Sequence, residues 1–229
     1  MPSHWHLGTG DFFEDLPKER EAFLKMSRSR ELSRNEIVFF EGDPSRSCFY
    51  LERGLIKIFR ITPSGKESIF FLRRSGELFG LAEVLDSSDR KANAQALSPC
   101  LLHEMPRREF DSFLEEHITA MRKVMYTLGR RVRYLGEQVS NLMVCDVGMR
   151  LVKLLVYIGY DSLKTEDAWL NPVHIPIRLT QEQMASMTGS CQQTISELLN
   201  HYQEEGLIEF SRKEIVILNP LELLKKAQI

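Results

Sequence analysis

Three polar side chains near the C-terminus, Gln192, Gln193 and Glu197, have the types and spacing that suit recognition of DNA bases. On a helix they share one face, because the apolar Ile195 and Leu199 occupy the other. A glutamine amide can pair with adenine and a glutamate carboxylate can accept from N4 of cytosine, whereas arginine suits guanine. This face therefore predicts a reader of DNA that uses no arginine at its base-contacting positions.

Two short helices around a glycine are the elements that must position this face. Thr180 followed by Gln183 is the pattern of a capping box, which starts the first helix. Ala185 and Gly189 are small where the two helices would meet at a tight turn. Ser190 is expected to cap the second helix, which places the three polar residues at its beginning and middle.

The surrounding segments complete a recognisable layout. Residues 147–160 have a helical pattern, residues 161–172 are polar and loop-like, and residues 209–218 predict a hairpin with Ser211–Lys213 at its tip. A helix, a turn, a second helix and a hairpin together predict a winged helix-turn-helix. The alternative is an ordinary three-helix packing unit that binds nothing, or that binds protein.

Few cations support DNA binding in this segment. Between Ile175 and Lys213 the basic residues are Arg178, Arg212 and Lys213, against five glutamates. Attraction to phosphate would therefore come from N–H groups at the helix starts, from hydroxyl groups and from the hairpin tip. The candidate DNA-contacting residues are Thr180, Ser190, Gln192, Gln193, Thr194, Ser196, Glu197, Arg212 and Lys213.

The strongest periodicity in the chain lies before this segment. Apolar residues step by alternating four and three positions, which is the a/d pattern of a coiled coil. These residues are Met121, Met125, Leu128, Val132, Leu135, Val139 and Leu142. Their narrow, charge-flanked stripe predicts a parallel homodimer, and the alternative is a long helix lying on its own β domain.

Residues 35–105 have a β pattern, with glycines recurring between short aromatic and branched runs. Pro63–Gly65 lies between two such runs and predicts a hairpin turn. Strands at this spacing close most economically into an antiparallel jelly roll. Pro17–Met26, before them, predicts a short amphipathic helix.

Composition excludes several classes of protein. The chain has 229 residues, 43% hydrophobic content and a formal net charge of −2, so its overall charge neither demands nor excludes nucleic acid. No apolar run reaches the roughly 18 residues of a membrane helix, and Met1–His6 lacks a hydrophobic signal region. We therefore expect a cytoplasmic protein with no membrane partner.

The metal-binding and thiol residues favour no catalytic site. The four cysteines lie far apart without a CxxC pair, so we expect free thiols and no metal or iron–sulfur cluster. Cys191, near the start of a helix, is the thiol whose pKa that helix start would lower. A cupin-type metalloenzyme would need histidines on its strands, and residues 37–102 contain none, so we expect no enzyme.

The whole chain resembles the CRP/FNR family of bacterial transcription regulators. The matching pieces are residues 40–43, 50–54, 75–80, Asn141–Leu142 with Asp146 and Arg150, and residues 179–208. The resemblance implies an α+β chain with three parts: a β-roll sensor at 1–110, a dimerisation helix and hinge at 111–145, and a winged helix-turn-helix at 146–229. It also implies a homodimer on a palindromic operator, a small-molecule effector and contact with RNA polymerase.

The resemblance also places the base-reading positions on Gln192, Gln193 and Glu197, where relatives commonly carry arginine, glutamate and arginine. Because this sequence departs at all three, we expect an operator that leans less on guanine contacts. A rival function is a ligand-gated module that binds protein through the helix pair and does not bind specific DNA.

Carried over from the family, the effector positions are Gly80, Leu81, Arg90, Lys91 and Leu135. Cyclic AMP is disfavoured, because Leu81 stands where a glutamate would accept the ribose hydroxyl. Arg90 and Lys91 could attract another anion, or could be a solvated charge pair. An organic acid, a nitrosative or redox signal, and no ligand at all remain open.

The resemblance covers a haem-sensing branch as well. That branch has an N-terminal proline, matched by Pro2, and a histidine where this chain has Ala82. Haem would therefore need other ligands, and the candidates are His4, His6 and His103.

Overall fold

The protein is described by a computed structural model that covers residues 10–211 and 214–227. The chain divides into two compact units, with the boundary between Arg133 and Tyr134. No helix in the described part of the chain has the length and apolar character to cross a membrane.

Two four-stranded antiparallel sheets form the first unit. The strands are β1 Arg28–Leu32, β2 Ile37–Phe39, β3 Ser47–Arg53, β4 Leu55–Ile61, β5 Glu67–Arg74, β6 Glu77–Phe79, β7 Asn93–Ala96 and β8 Cys100–Pro106. One sheet has the order β1-β8-β3-β6 and the other β2-β7-β4-β5. The predicted antiparallel β-roll is confirmed, although β1 begins before the β pattern that the sequence showed.

The tight turns of the roll depend on glycine. The β4–β5 hairpin turns at the predicted Pro63–Gly65 segment, where Thr62 N donates to Lys66 O over 2.8 Å and Gly65 has a φ of +79°. At Gly54, φ is +113° and an added Cβ would lie 2.4 Å from Cys100 Sγ. Only glycine allows both the positive φ at this position and the close approach to Cys100 at the start of β8.

Helices cover one end of the roll. They are α1 Pro17–Met26, α2 Leu81–Asp86, α3 Arg107–Glu116 and the start of α4 Ile118–Val144. The helix predicted at Pro17–Met26 is confirmed, whereas α2 and α3 were not predicted. Phe23, Tyr50, Phe110 and Phe113 lie within one buried cluster beneath these helices.

The apolar side chains of helix α4 are packed against the roll at its start and exposed further along the helix. At its start Ala120 and Val124 are buried in the core cluster of the roll, and Met121 and Leu128 pack against that cluster. Two of the seven predicted coiled-coil positions therefore contact their own subunit, as the alternative explanation of the heptad required. The other five, Met125, Val132, Leu135, Val139 and Leu142, are between 44% and 68% exposed.

The second unit contains helices and a small sheet. Its elements are α5 Val147–Gly159, two short 3-10 helices at Tyr160–Leu163 and Asp167–Trp169, β9 Val173–Ile175, α6 Gln181–Thr188, α7 Gln192–Glu204, β10 Ile208–Phe210, β11 Ile215–Ile217 and α8 Pro220–Lys225. The three strands form an antiparallel sheet in the order β10-β11-β9. Helix, turn, helix and hairpin occur in the predicted order, and the third strand and α8 are additions.

Candidate nucleic-acid interface

The first helix of the pair, α6, begins at the predicted capping box. Thr180 Oγ1 accepts from Gln183 N over 3.1 Å, and Gln183 Oε1 accepts from Thr180 N over 2.9 Å. The helix ends at Gly189, whose φ of +62° suits glycine at this position. The start and the end of α6 are therefore both fixed by local sequence.

The start of α7 corrects one prediction, because Ser190 does not cap it. Ser190 N instead donates to Ala185 O over 2.9 Å as part of the turn that closes α6. The capping position falls on Cys191, which has extended backbone, and α7 begins at Gln192. Cys191 Sγ lies 3.2 Å from Thr194 Oγ1, and this hydrogen bond lowers the pKa of the exposed Cys191 thiol.

The outer face of α7 carries the three predicted base-reading residues. Ile195 and Leu199 are fully buried, while Gln192, Gln193 and Glu197 are exposed. Gln193 Nε2 donates to Glu197 Oε1 over 3.0 Å, a pairing that the sequence analysis did not foresee. Each side chain of this pair therefore orients the other, since residues four apart on a helix are neighbours.

Arg150 joins the helix pair to the segment before α5. Its Nε donates to Thr188 O over 2.7 Å, and its Nη1 donates to Cys145 O over 2.6 Å. A cation on the last carbonyl groups of α6 is favourable, because those groups have no partner within the helix. Arg150 was expected only as a residue that matches the family, and no local pattern indicates its contact with Thr188, because the two residues are 38 positions apart.

A second polar cluster lies at the end of α4. Lys153 Nζ donates to Asn141 Oδ1 over 2.6 Å, and Asn141 is 7% exposed. Asp146 Oδ1 accepts from Met149 N over 2.8 Å and so caps α5. The Lys153–Asn141 contact ties the last turns of α4 to α5 within the second unit.

The remaining candidate DNA contacts are partly described. Thr194 and Ser196 are half-buried on the sides of α7, and Thr180 and Ser190 lie near the starts of α6 and α7. Arg212 and Lys213, the predicted cations of the hairpin tip, lie outside the described residues. Next to them, Ser211 Oγ accepts from Glu214 N over 3.2 Å.

In the first unit, Arg90 is buried, so the prediction of a solvated charge pair is wrong for Arg90, and binding of another anion by Arg90 stays a prediction. It is 3% exposed and lies 4.2 Å over the Phe39 ring. Its guanidinium donates to Gly80 O over 3.0 Å and to Ser47 O, and lies 3.6 Å from a Glu83 carboxylate oxygen. Burial lowers the pKa of Arg90, and these contacts hold the charge inside the roll.

The other predicted effector positions differ from one another in burial and in location. Leu81 is 1% exposed and packs within the core cluster, and its contact with an effector stays a prediction. Lys91 is exposed, and its backbone N–H lies 3.4 Å from a Glu83 carboxylate oxygen. Leu135 belongs to the second unit and is 44% exposed.

In the described part of the chain, the side chains that could bind a metal ion do not lie together in one cluster. Within the described residues, no group of three histidine, cysteine, aspartate or glutamate side chains could hold a metal ion. His103 Nε2 pairs with Glu52, and His4 and His6 lie outside the described residues. All four cysteines are free thiols, with Cys48 and Cys100 buried and Cys191 exposed.

Comparison with known families gives two matches that together span both units. Residues 29–117 match the cyclic nucleotide-binding domain, and residues 149–226 match the Crp-like helix-turn-helix domain.

Among characterised relatives, the chain is 28% identical to the global nitrogen regulator of Synechocystis sp. over 193 residues, which cover 83% of this chain and 84% of the relative. It is 24% identical to the CRP-like cAMP-activated global transcriptional regulator of Mycobacterium tuberculosis over 212 residues, 93% of each chain.

Two solved structures share the fold. The c-di-GMP responsive global regulator CLP of Xanthomonas campestris has a TM-score of 0.71 at 22% identity, covering 88% of this chain and 98% of that one. FixK2 of Bradyrhizobium japonicum has a TM-score of 0.74 at 16% identity, covering 87% of this chain and 96% of that one.

Proposed function

The chain belongs to the CRP/FNR family of bacterial transcription regulators, and we propose from this that it binds a palindromic operator as a dimer and reads each half-site with α7. The observation that carries the proposal is the exposed face of Gln192, Gln193 and Glu197, in which Gln193 and Glu197 are hydrogen-bonded to each other. In helix-turn-helix proteins the second helix of the pair enters the major groove.

The hydrogen-bonding groups of this face determine the bases it would select. Because one N–H of Gln193 donates to Glu197, the pair keeps three groups for bases: the second N–H of Gln193, the carbonyl oxygen of Gln193 and the second carboxylate oxygen of Glu197. Two of these three groups are acceptors. Acceptors of this kind suit the amino groups of cytosine and adenine. Gln192 has both a donor and an acceptor and suits adenine. We therefore expect a half-site that depends less on guanine O6 and N7 than the half-sites of relatives with arginine here.

Attachment to the DNA backbone would rest on a small number of groups. First-turn N–H groups at the starts of α6 and α7 have no acceptor within the helix, and phosphate binds readily at such helix starts. Hydroxyl groups of Thr180, Ser190 and Thr194, with Arg212 and Lys213 of the hairpin, would add to them. With glutamates outnumbering cations in this segment, we expect modest affinity for DNA of random sequence.

Dimerisation would use the exposed part of α4. Val132, Leu135, Val139 and Leu142 continue the a/d spacing and are each at least 44% exposed. Apolar side chains repeated in this way lose their contact with water when a second copy pairs with them. A dimer with twofold symmetry would present two α7 helices, which suits half-sites about one DNA turn apart.

The sensing role of the roll is proposed with a restriction on its ligand. Leu81 is buried and Arg90 is held by Gly80, Ser47 and Glu83, so two of the family positions that hold cyclic AMP are already occupied by internal contacts. The proposed signal is therefore not cyclic AMP, and haem has no described ligand pair. This proposal also includes the three-part division at residues 110 and 145, the cytoplasmic location, RNA polymerase as a partner and the lack of enzymatic activity.

Footprinting of genomic DNA by the full-length protein tests this function. The proposal predicts protection of sites with twofold symmetry, whose half-sites lie about one DNA turn apart. A protein that retains no genomic fragment under any salt condition, but retains a protein partner, would instead support the ligand-gated interaction module.

A further inference from the structure

The exposed apolar row of α4 and the reading helix α7 belong to the same compact unit. That unit begins within α4 at Tyr134, so it contains Leu135, Val139 and Leu142 of the row together with the whole helix pair. In a dimer with twofold symmetry, the separation of the two α7 helices depends on how each α7 is held relative to this row. The contacts between the end of α4 and the helix pair therefore determine which half-site spacing fits the dimer.

Helix α5 is the element on which α7 rests. A Cβ added to Gly148, near the start of α5, would lie 3.0 Å from Tyr202 Oη and 3.6 Å from Leu198 Cδ2, both on α7. Tyr202 is 5% exposed, so this contact belongs to the core of the unit. Because protein interiors are close-packed and transmit displacement, a shift of α5 carries α7 with it.

Two cations on α5 hold the end of α4. Arg150 and Lys153 are three positions apart, and residues with this spacing are neighbours on one face of a helix. Lys153 Nζ donates to Asn141 Oδ1 of α4 over 2.6 Å, and Arg150 Nη1 donates over 2.6 Å to the carbonyl oxygen of Cys145, the residue that follows α4. The end of α4 is therefore attached to α5 at two points.

Arg150 also contacts the turn that leads into α7. Its Nε donates over 2.7 Å to the carbonyl oxygen of Thr188, the last residue of α6, which is 2% exposed. The guanidinium is planar and rigid, so it fixes the separation of the two carbonyl groups that it bridges. Leu142 of the exposed row reaches the same turn, since its Cδ2 lies 3.3 Å from the position of a Cβ on Gly189.

We propose that Arg150 and Lys153 are positioning residues that set the spacing between the two operator half-sites. The proposal rests on the proposed function and adds to it a determinant of specificity outside the base-reading face. Neighbouring base pairs differ by about 3.4 Å along the DNA axis and by about a tenth of a turn, so a small displacement of α7 favours another spacing. Loss of the two cations leaves the apolar contact of Leu142 with the turn, and apolar contacts are non-directional.

Selection from duplex DNA of random sequence tests the proposal, because it reports half-site sequence and half-site spacing separately. We expect the parent protein to select one motif at one spacing, and Arg150→Gln to select the same motif at several spacings. Anisotropy titrations then compare the selected operator with a copy lengthened by one central base pair. The parent should prefer the first by roughly tenfold or more, and Arg150→Gln by less than roughly threefold, since two half-sites bind together only where the geometry permits. Lys153→Gln should lower the preference by a smaller factor.

The ratio of the two affinities separates positioning from stability. A loss of stability alone weakens binding to both operators and leaves their ratio unchanged. The matched control, Arg178→Gln at an exposed arginine of the same unit, should keep the ratio of the parent whatever its effect on total affinity. Circular dichroism and sedimentation velocity establish that each variant is a folded dimer, and Lys153→Gln gives the ratio should Arg150→Gln fail to fold.

Three results would overturn the proposal and leave base reading by α7 in place. They are a parent protein without a preferred spacing, a parental ratio in folded Arg150→Gln and Lys153→Gln, and a changed half-site motif in Arg150→Gln. A parent protein that selects no motif at all contradicts the proposed function itself, and this proposal with it.

Discussion

Arg90 in the roll and the polar residues on the outer face of α7 differ in burial and in how many of their hydrogen bonds are already made within the protein. The Arg90 side chain is almost fully buried and donates to two backbone carbonyls, beside a carboxylate. Gln192, Gln193 and Glu197 are exposed, and the last two share a single hydrogen bond. The comparison shows that Arg90 links parts of its own unit together, whereas the α7 face retains most of its hydrogen-bonding capacity for a partner.

The same contrast divides α4. Met121 and Leu128 pack against the core of the roll, while Leu135 and Val139 follow the same heptad and are exposed. The same apolar spacing therefore has two roles along one helix. Its N-terminal part packs on the core of the roll, and its C-terminal part is an exposed surface that a second copy can cover.

The largest expected effect comes from removing the internal role of Arg90. Arg90→Met leaves the Glu83 carboxylate and the Gly80 and Ser47 carbonyls without their partner, so we expect the free energy of unfolding to fall by about 3–5 kcal/mol. Urea denaturation measures it. The neighbouring Lys91→Met, at an exposed residue, should change stability by less than about 0.5 kcal/mol. Equal effects of the two substitutions would show that Arg90 is not the internal link described here.

The next largest effect separates the two parts of α4. Leu135→Glu places a charge in the exposed row, so we expect a folded monomer whose operator affinity is lower by roughly 100-fold, since two linked half-site contacts become one. Leu128→Glu should also give monomers without DNA binding, and in addition should lower stability, because Leu128 packs against the core. Sedimentation velocity and circular dichroism distinguish these results. A Leu135→Glu protein that remains dimeric would refute the assigned interface.

A smaller effect is expected at the start of α6. Thr180→Ala removes the acceptor for Gln183 N, and loss of such a cap costs about 1 kcal/mol. Amide hydrogen exchange should therefore become faster in the first turn of α6 and stay unchanged in α3. The control Thr165→Ala, at an exposed threonine outside the helices, should leave exchange in α6 as it is. Unchanged exchange in Thr180→Ala would mean that the cap does not hold this helix.

The smallest effect concerns the thiol beside the reading face. Thr194 lowers the pKa of Cys191 by stabilising the thiolate, so the rate of alkylation of Cys191 should reach half its maximum below pH 9, the ordinary value. Thr194→Ala should move that midpoint upward, and the measurement is the alkylation rate of the Cys191 peptide against pH. If both proteins share one midpoint, the hydrogen bond does not govern this thiol. Unchanged DNA binding by Cys191→Ser after peroxide treatment would assign Cys191 to packing alone.

Local patterns in the sequence predicted the parts of the fold that depend on neighbouring residues. The capping box at Thr180, the hairpin at Pro63–Gly65 and the inward side of α7 involve residues within a few positions of one another, so the sequence shows both partners. The cap of α7 was misplaced by one residue, from Cys191 to Ser190, which is a common error at helix ends.

Contacts between distant positions could not be predicted in this way. Arg90 and its acceptor Ser47 O are 43 positions apart, so Arg90–Lys91 resembled an exposed charge pair until the fold brought the acceptors together. The heptad of α4 likewise shows which residues are apolar and not what covers them, and only the packing of α4 shows that Leu128 contacts its own core. The Arg150 contact with Thr188 follows the same rule.

Selection of binding sites from random DNA tests most directly whether the exposed face of α7 reads bases. We predict that Gln193→Ala relaxes one base position in each half-site, and that Glu197→Arg binds more tightly and shifts the preference toward guanine, because a good bidentate contact is worth about 1–3 kcal/mol of discrimination. Arg212→Ala or Lys213→Ala, as phosphate-contact controls, should weaken binding to all sequences alike and lower the salt slope by about one. If the Gln193→Ala and Glu197→Arg proteins select the same motif as the parent protein, α7 does not read DNA through these residues.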